Sequence, residues 1–172
     1  NGATSTQLRW LAAYYPQAEA SIKPAVLQAI SRGVAFVLSA QYPNGGFAQT
    51  YPLRGGYHDA ITIKDGVMET LLRLLQDVAT QPQFAMLPVA LREQAAQQFQ
   101  LGIQLLLRSQ LQLQGELTVW AAQYHPVELT PVAARAYEWP ALVSTESAGI
   151  TLLLMEQAPT PAMIQSVEAA VR

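Results

Sequence analysis

Hydrophobic residues recur every three or four positions over most of the chain, as they do on the buried face of an amphipathic helix. The segments with this pattern run from about Ser5 to Tyr15, from Lys23-Pro24 to Leu38, from Asp65 to Thr80, from Pro88 to Gln110, from Thr145 to Gln157 and from Pro161 to Arg172. Strand-like alternation is scarce and is confined to Ile61–Ile63 and Leu117–Trp120. The pattern predicts an all-α protein with short strands.

The segment from Gln41 to Gly66 interrupts the helical pattern with glycine, proline, asparagine and aromatic residues. A connection of this length is uncommon inside a compact domain, and it is typically functional or disordered. Its aromatic and charged side chains argue against disorder. We therefore expect an ordered loop that builds a site. A second irregular stretch, from Leu111 to Ser144, separates the later helices.

The ends of two predicted helices resemble each other. Leu38-Ser39-Ala40-Gln41 is followed by Gly45-Gly46-Phe47, and Leu107-Arg108-Ser109-Gln110 is followed by Gly115-Glu116-Leu117. The offset of about seventy residues is close to twice the length of a helical hairpin. Such a repeat predicts stacked helical hairpins whose loops gather on one face. An α/α toroid, a barrel of helical hairpins, is the expected closure, and an open solenoid is the alternative.

Composition narrows the class of protein. With 172 residues, 51% of them hydrophobic and 13% charged, the chain has the size and character of one globular domain. No apolar run approaches the roughly 18 residues of a membrane span, so we expect no membrane partner. The net charge of −2 argues against nucleic-acid binding. Cysteine is absent, which excludes disulfides and thiolate metal sites.

Asp65 is the first candidate for chemistry because it stands directly before a predicted helix. A carboxylate there is a common N-cap, and it is equally a ligand for a hard cation such as calcium. Asn1 begins another predicted helix and offers a neighbouring oxygen, while Thr4, Ser5 and Thr6 are candidate caps of that helix. Spacing leaves the two interpretations of Asp65 open.

Arg135 and Glu138 are the second candidates. Three residues apart on a helical turn, they form either a surface pair or a site whose arginine faces a ligand. Aromatic residues that could stack on sugar rings, or equally pack in the core, are Tyr42, Tyr51, Tyr57 and Trp120. His58-Asp59 is interpreted as a solvated loop pair, and His125 has no partner at metal-ligand spacing.

Several stretches together resemble one known family. They are AQYPNGGFAQTYPLRGGYHDAITIKDGVM (residues 40–68), Asn1-Gly2-Ala3-Thr4 with Thr6-Gln7-Leu8-Arg9, Val119-Trp120-Ala121-Ala122-Gln123, Ala133-Ala134-Arg135-Ala136-Tyr137-Glu138 and Glu146-Ser147-Ala148-Gly149-Ile150. In this order, over essentially the whole chain, they resemble the family-10 polysaccharide lyases, which are pectate lyases with an α/α toroid fold.

The resemblance implies calcium-dependent β-elimination of polygalacturonate that yields 4,5-unsaturated oligogalacturonides. It implies that Asp65 helps to hold the calcium, and that a second aspartate would precede Asn1. Arg135 would remove the C5 proton of the uronate ring. Substrate-binding residues would be Arg54, Tyr57, Trp120 and Tyr137.

Three positions depart from the family pattern. Lys64 stands where an asparagine is common, Phe47 replaces a tryptophan, and Tyr124-His125 replaces a His-Asp pair. Family members are also longer. We therefore expect residues 1–172 to be a single segment of a catalytic domain, truncated at both ends, from a monomeric, secreted or periplasmic enzyme.

Two other functions compete with this one. An α/α-toroid glycoside hydrolase would need two opposed carboxylates, for example Asp65 with Glu138. A non-catalytic helical module would bind acidic sugars without cleaving them.

Overall fold

A computed structural model of the protein describes residues 2–172, so Asn1 lies outside the described residues. Six α-helices make up most of it: α1 (Gly2–Tyr14), α2 (Lys23–Ser39), α3 (Val67–Thr80), α4 (Val89–Ser109), α5 (Ser144–Met155) and α6 (Pro161–Ala170). Four two-residue strands occur in the irregular segments: β1 (Ile61–Thr62), β2 (Gln112–Leu113), β3 (Glu116–Leu117) and β4 (Gln123–Tyr124). The prediction of an all-α fold with short strands is confirmed.

The six helices form three consecutive hairpins, α1/α2, α3/α4 and α5/α6. The first helices of the hairpins contact one another, α1 with α3 and α3 with α5, and the second helices do the same, α2 with α4 and α4 with α6. The result is a two-row arc, as in a helical toroid. Because the helices of a hairpin run antiparallel, the N-termini of α1, α3 and α5 lie at one end of the arc, together with both long irregular segments.

Helix α3 lies at the centre of the core. Its apolar stripe, which packs against neighbours on three sides, is buried and consists of Val67, Met68, Leu71, Leu72, Leu74, Leu75 and Val78. Close helix contacts depend on two glycines of the second row. A Cβ atom at Gly102 would collide with Leu72, and one at Gly33 would collide with Leu8. A glycine in the second helix therefore allows close packing against the first helix in two successive hairpins, α1/α2 and α3/α4.

The repeat seen in the sequence also has a structural counterpart. The side-chain amide of Gln41 donates to the carbonyl oxygens of Gly45, at 2.8 Å, and Gln98, at 3.0 Å. The amide of Gln110 donates equivalently to Thr118, at 2.7 Å, and Ser166, at 2.9 Å. Each glutamine thus ties the start of a long loop to the second helix of the next hairpin. This confirms the predicted stacking of repeated hairpins.

The two long irregular segments are joined to each other by a short sheet. Strand β1 pairs antiparallel with β4, with Ile61 opposite Tyr124 and Thr62 opposite Gln123. The other strand predicted from alternation, at Leu117, pairs with β2 opposite Gln112. The β1–β4 pairing brings the segment just before Asp65 to the same end of the molecule as the segment that leads to Arg135.

Two further expectations bear on the helices. Thr4, Ser5 and Thr6 lie inside α1, so the prediction that they cap this helix is wrong. The helical pattern simply begins earlier than the first apolar residue suggested. Within residues 2–172, none of the helices combines the length and the apolarity that a membrane span requires.

Candidate functional site

Asp65 lies at the loop end of the arc, two residues before α3. Its backbone adopts the left-handed conformation (φ 59°, ψ 17°), and Gly66 follows with φ 63° and ψ 24°. Two successive left-handed residues turn the chain sharply before the helix begins at Val67. Side-chain capping of α3 is absent at this position, so the N-cap interpretation of Asp65 is wrong. The exposed carboxylate makes no hydrogen bond within residues 2–172.

A second carboxylate meets Asp65 from another helix. Glu146 lies in the first turn of α5, and its Oε1 accepts a hydrogen bond from the Asp65 N–H at 3.0 Å. This contact fixes the left-handed turn, and it places two acidic side chains beside each other where α3 and α5 begin. Glu146 was noticed in the sequence only as part of a motif that resembles the family, and its contact with Asp65 was not predicted.

An ion pair crosses from this turn to the segment that carries Arg135. The Lys64 Nζ donates to Glu138 Oε2 at 2.8 Å, and the Lys64 side chain is 16% exposed. The Lys64 N–H also donates to the carbonyl oxygen of Ala122 at 3.0 Å. The ammonium of Lys64 lowers the pKa of Glu138, with a smaller contribution from the backbone N–H of Arg135. Glu138 is therefore held as a carboxylate.

Arg135 is half exposed and lies among aromatic hydroxyls. Its guanidinium hydrogen-bonds with Tyr57 and donates from Nη1 to the Tyr137 hydroxyl at 3.3 Å. The contact with Glu138 Oε1 is longer, at 3.5 Å. Hydrogen bonding to Tyr57 and Tyr137, followed by the charge of Glu138, raises the pKa of Arg135. Arg135 is thus held as a half-exposed guanidinium cation.

Tyr57 is positioned by a buried glutamine. Gln123, in β4, donates from Nε2 to the Tyr57 carbonyl oxygen at 3.1 Å and to Thr62 Oγ1 at 2.7 Å. The Tyr57 ring lies on His58, with centroids 3.8 Å apart. The structure therefore brings Arg135, the predicted base, together with Tyr57 and Tyr137, and their roles stay predictions.

Asp59, which follows His58, stabilises the local backbone. Both carboxylate oxygens of Asp59 accept backbone N–H bonds at 2.9 Å, one from Arg54 and one from Gly55. Asp59 therefore closes its own turn and does not orient His58. His125 Nδ1 likewise accepts from the backbone of Val127 and Glu128. The Asp59 contacts agree with the interpretation of His58-Asp59 as a loop pair.

The prediction that Trp120 binds substrate needs correction. Its side chain is completely buried, and its Nε1–H donates to the Leu106 carbonyl oxygen at 2.8 Å. The backbone N–H of Trp120 also bonds to Ser147 Oγ at 3.2 Å. Trp120 anchors the second loop to α4 and α5, and no ligand at the surface could stack on it.

The remaining predicted site residues lie apart. Arg54 is exposed and lines a cavity of about 280 Å³ that includes none of the Arg135 neighbours. Asn1, the second predicted metal ligand, is outside the described residues. The cluster around Arg135 was foreseen, whereas Lys64 and Glu146 were missed because their partners are distant in sequence.

Asp65 and Glu146 are the residues of this site that could hold a calcium ion. The Asp65 and Glu146 carboxylates supply the oxygen ligands that calcium prefers, and the Asp65 oxygens are free to coordinate. Among residues 2–172 there is no group of three acidic or histidine side chains that could hold an ion alone. The residues present fit a calcium ion that completes its coordination with water or ligand oxygens.

The arc of hairpins, with carboxylates, a guanidinium and aromatic hydroxyls at one end, defines an all-α protein of the helical-toroid class. Comparison with known families then identifies it further. The chain matches the pectic acid lyase family over residues 1–172 and belongs to that family.

Two solved structures show the same fold. They are the family 10 polysaccharide lyase from Cellvibrio cellulosa and a mutant of a family 10 polysaccharide lyase from that organism in complex with trigalacturonic acid. In each case the TM-score is 0.88, the sequence identity is 32%, and the match covers 98% of this chain and 52% of the other. The chain thus spans about half the length of these enzymes. No curated protein gives a significant match.

Proposed function

We propose that this chain forms the catalytic site of a calcium-dependent pectate lyase that cleaves polygalacturonate by β-elimination. The observation that supports it most is the juxtaposition of an uncommitted carboxylate, Asp65, with a guanidinium, Arg135, across the Lys64–Glu138 ion pair. Membership of the pectic acid lyase family supports the reaction class. The trigalacturonic acid bound by the mutant Cellvibrio enzyme supports an acidic polysaccharide as substrate.

Asp65 and Glu146 are the residues that would hold the ion. Bound calcium would neutralise the uronate carboxylate, which makes the neighbouring C5–H more acidic, and its charge would oppose protonation of nearby basic groups. The left-handed turn at Asp65 serves this arrangement, because it presents the carboxylate at the surface and commits the backbone N–H to Glu146.

Arg135 is proposed to accept the C5 proton. As that C–H bond breaks, its electrons form the C4–C5 double bond, and the C4–O bond to the leaving sugar breaks, with a proton from solvent completing the new hydroxyl group. The free enzyme favours the cationic form of Arg135, since Tyr57, Tyr137 and Glu138 raise its pKa. Arg135 therefore acts as a base only when a second cation at the site opposes that effect.

Tyr57 and Tyr137 are proposed to contact the uronate bound at Arg135. Tyr137 is 73% exposed, and its hydroxyl group lies within hydrogen-bonding distance of the guanidinium. An aromatic ring can cover the apolar face of a sugar while a hydroxyl group bonds its substituents. The two rings flank Arg135 in a way that suits one sugar residue of the polymer.

The hydrolase alternative is disfavoured by Glu138. A glycosidase acid needs a raised pKa so that it is protonated at neutral pH, whereas Lys64 lowers the pKa of Glu138. A binding module without activity is the remaining alternative. A polymeric, acidic substrate suits an enzyme that is secreted or periplasmic, and we propose that the enzyme is a monomer.

The test is incubation of the protein with polygalacturonate, with calcium and then with excess chelator. A lyase produces ultraviolet absorbance from 4,5-unsaturated ends only while calcium is present. Reducing ends without that absorbance would show hydrolysis. Saturable binding of the polymer without either product would show a binding module.

A further inference from the structure

A cavity of about 430 Å³ opens between the two long irregular segments, beside Arg135. One wall is the Gly56–Asp59 turn, and the other belongs to the segment that leads to Arg135. Tyr57, which bonds to the Arg135 guanidinium, and Ala134, which directly precedes Arg135, both line it. Its volume is within the range of small-molecule sites. A sugar residue next to the one bound at Arg135 would therefore enter this cavity.

Apolar side chains dominate the lining. Pro126, Val132 and Ala133 contribute from the second irregular segment, and Ala60 contributes from the first. The described residues that line the cavity include neither a lysine nor an arginine. A free carboxylate that leaves water needs a cation or several N–H donors in exchange. The cavity therefore suits a sugar whose carboxyl group carries no charge.

Asp59 is the acidic residue of this lining. Its two carboxylate oxygens accept the N–H groups of Arg54 and Gly55, each at 2.9 Å, and its carbonyl oxygen accepts the Tyr42 hydroxyl group at 2.6 Å. These bonds hold the Asp59 carboxylate at the cavity. A second carboxylate entering the cavity would be repelled by this charge, whereas an ester would not.

The neighbouring cations are engaged outside the cavity. Lys64 lies over the Tyr57 ring, 5.9 Å from its centroid, and its Nζ binds Glu138 at 2.8 Å. Arg135 bonds to Tyr57 at the proposed cleavage site. The Arg54 side chain lines the separate cavity of about 280 Å³. The lining of the larger cavity therefore leaves the negative charge of Asp59 uncompensated.

His125 supplies a hydrogen-bond donor that an ester could use. Its Nδ1 accepts the N–H groups of Val127 and Glu128, at 3.3 and 3.2 Å. The proton of the neutral imidazole ring therefore lies on Nε2, and His125 is part of the cavity lining. An ester carbonyl oxygen accepts a hydrogen bond from such an N–H group without bringing a charge into the cavity.

From these groups we propose that the cavity binds a methyl-esterified galacturonate residue next to the cleavage site, with its carbonyl oxygen on His125 and its methyl group against Val132 and Ala133. The inference rests on the proposed function, since the ester belongs to the same polymer. The residue at Arg135 must keep a free carboxylate for calcium. The preferred substrate is therefore a partly esterified pectin, in which free and esterified residues are neighbours.

The first test introduces a cation into the cavity. The wild-type protein should have a lower KM for partly methyl-esterified pectin than for polygalacturonate. Ala133→Lys, at an exposed position, should lower the ratio of the polygalacturonate KM to the pectin KM roughly tenfold, because a free carboxylate gains a charge-assisted contact. Ala90→Lys is the matched control, since it adds the same charge at an exposed position of α4. Equal ratios in the two variants would overturn the proposal.

The second test removes the donor. His125→Asn keeps a side-chain oxygen that can accept the N–H groups of the turn, but it loses Nε2–H. The KM for partly esterified pectin should rise by about two- to tenfold, the effect of one neutral hydrogen bond. The kcat should stay unchanged, because the contact is equal in ground state and transition state. A wild-type KM for this substrate in His125→Asn would contradict the ester contact.

A binding measurement separates this inference from the proposed activity. Trigalacturonate and its mixed monomethyl esters are titrated into the wild-type protein with excess chelator, so that both stay intact. The esters should shift the methyl NMR signals of Ala60 and Val132 at lower concentrations than trigalacturonate does. Equal or stronger shifts with trigalacturonate would overturn the ester site, even if calcium-dependent unsaturated products confirm the lyase. Stronger shifts with the esters would support the site even if no such products form.

Discussion

Lys64 donates a 2.8 Å hydrogen bond to Glu138 and thereby joins two loops that lie 74 residues apart in the sequence. Lys64 directly precedes Asp65, and Glu138 closes the turn that begins at Arg135, whose carbonyl oxygen accepts the Glu138 N–H at 2.8 Å. This ion pair therefore links the segment of the proposed metal ligand to that of the proposed base, in addition to the β1–β4 pairing.

Replacing Lys64 should loosen this connection. In Lys64→Met the pKa of Glu138 should rise towards its ordinary value, because the ammonium group is the largest cause of its lowering. A carboxyl group with a lowered pKa stabilises the fold above its ordinary range, near 4.3, and this contribution is lost as pH falls through the lowered value. In Lys64→Met, the free energy of unfolding should therefore depend less on pH in the acidic range. A carbon-detected NMR titration of Glu138 provides the measurement.

The same variant should also reduce kcat, and Lys64→Arg should restore much of it, because a guanidinium can still bind Glu138. Lys23→Met is the matched control: Lys23 lies over the ring of Tyr15 and has no carboxylate partner within residues 2–172. A Lys64→Met enzyme with the kcat of Lys23→Met would show that the ion pair does not position the site.

Asp65→Asn should weaken calcium binding without disturbing the loop. Asparagine tolerates the left-handed conformation, so the turn and its bond to Glu146 are retained while one negative charge is lost. We expect calcium affinity to fall by at least about tenfold, since calcium sites are tuned by the charge of their oxygen ligands. Isothermal titration with calcium measures this. Glu116→Gln, in β3, is the control, and an unchanged affinity in Asp65→Asn would remove Asp65 from the site.

Trp120 should affect stability rather than substrate binding. Trp120→Ala should reduce the free energy of unfolding by about 3–5 kcal/mol, as for other large buried aromatic residues, and Trp120→Phe should cost less while losing the bond to Leu106. Urea denaturation gives both values. Trp139→Phe, at a ring that is 79% exposed, should change little. A folded Trp120→Phe protein with a much higher KM would restore the prediction that Trp120 contacts the substrate.

The close contact between α3 and α4 predicts a cost at Gly102. Alanine usually favours a helix over glycine by about 1 kcal/mol, but a methyl group here would push Leu72 out of place. Overpacking costs about 1–3 kcal/mol, so Gly102→Ala should be neutral to destabilising. Gln104→Ala, at an exposed position of the same helix, should be harmless. A clear increase in melting temperature for Gly102→Ala would contradict the packing described.

The sequence predicted the helices because their apolar faces repeat with a clear period, as in α3 and α4. The repeated glutamines Gln41 and Gln110 also indicated stacked hairpins. Irregular segments have no such period. The burial of Trp120, in the second irregular segment, therefore could not be foreseen.

Residue types and the family resemblance placed Asp65, Arg135 and the two tyrosines at a site, but not the contacts between them. The bond between Asp65 and Glu146 joins residues 81 positions apart. The left-handed conformation of Asp65 is likewise set by tertiary contacts, because its position before a helix resembles that of an ordinary cap. Contacts between residues so distant in sequence depend on how the hairpins pack, so they could not be predicted from the sequence.

The most direct test of the account is mass spectrometry of the products formed from polygalacturonate in water enriched with heavy oxygen. Elimination predicts new oligomer ends that are lighter by one water molecule and carry no solvent oxygen at the cleaved bond. Arg135→Ala should reduce their rate of formation by about 100- to 10,000-fold, the range for loss of a general base. Products that contain heavy oxygen and no unsaturated ends, or full activity in Arg135→Ala, would contradict the proposed reaction at this site.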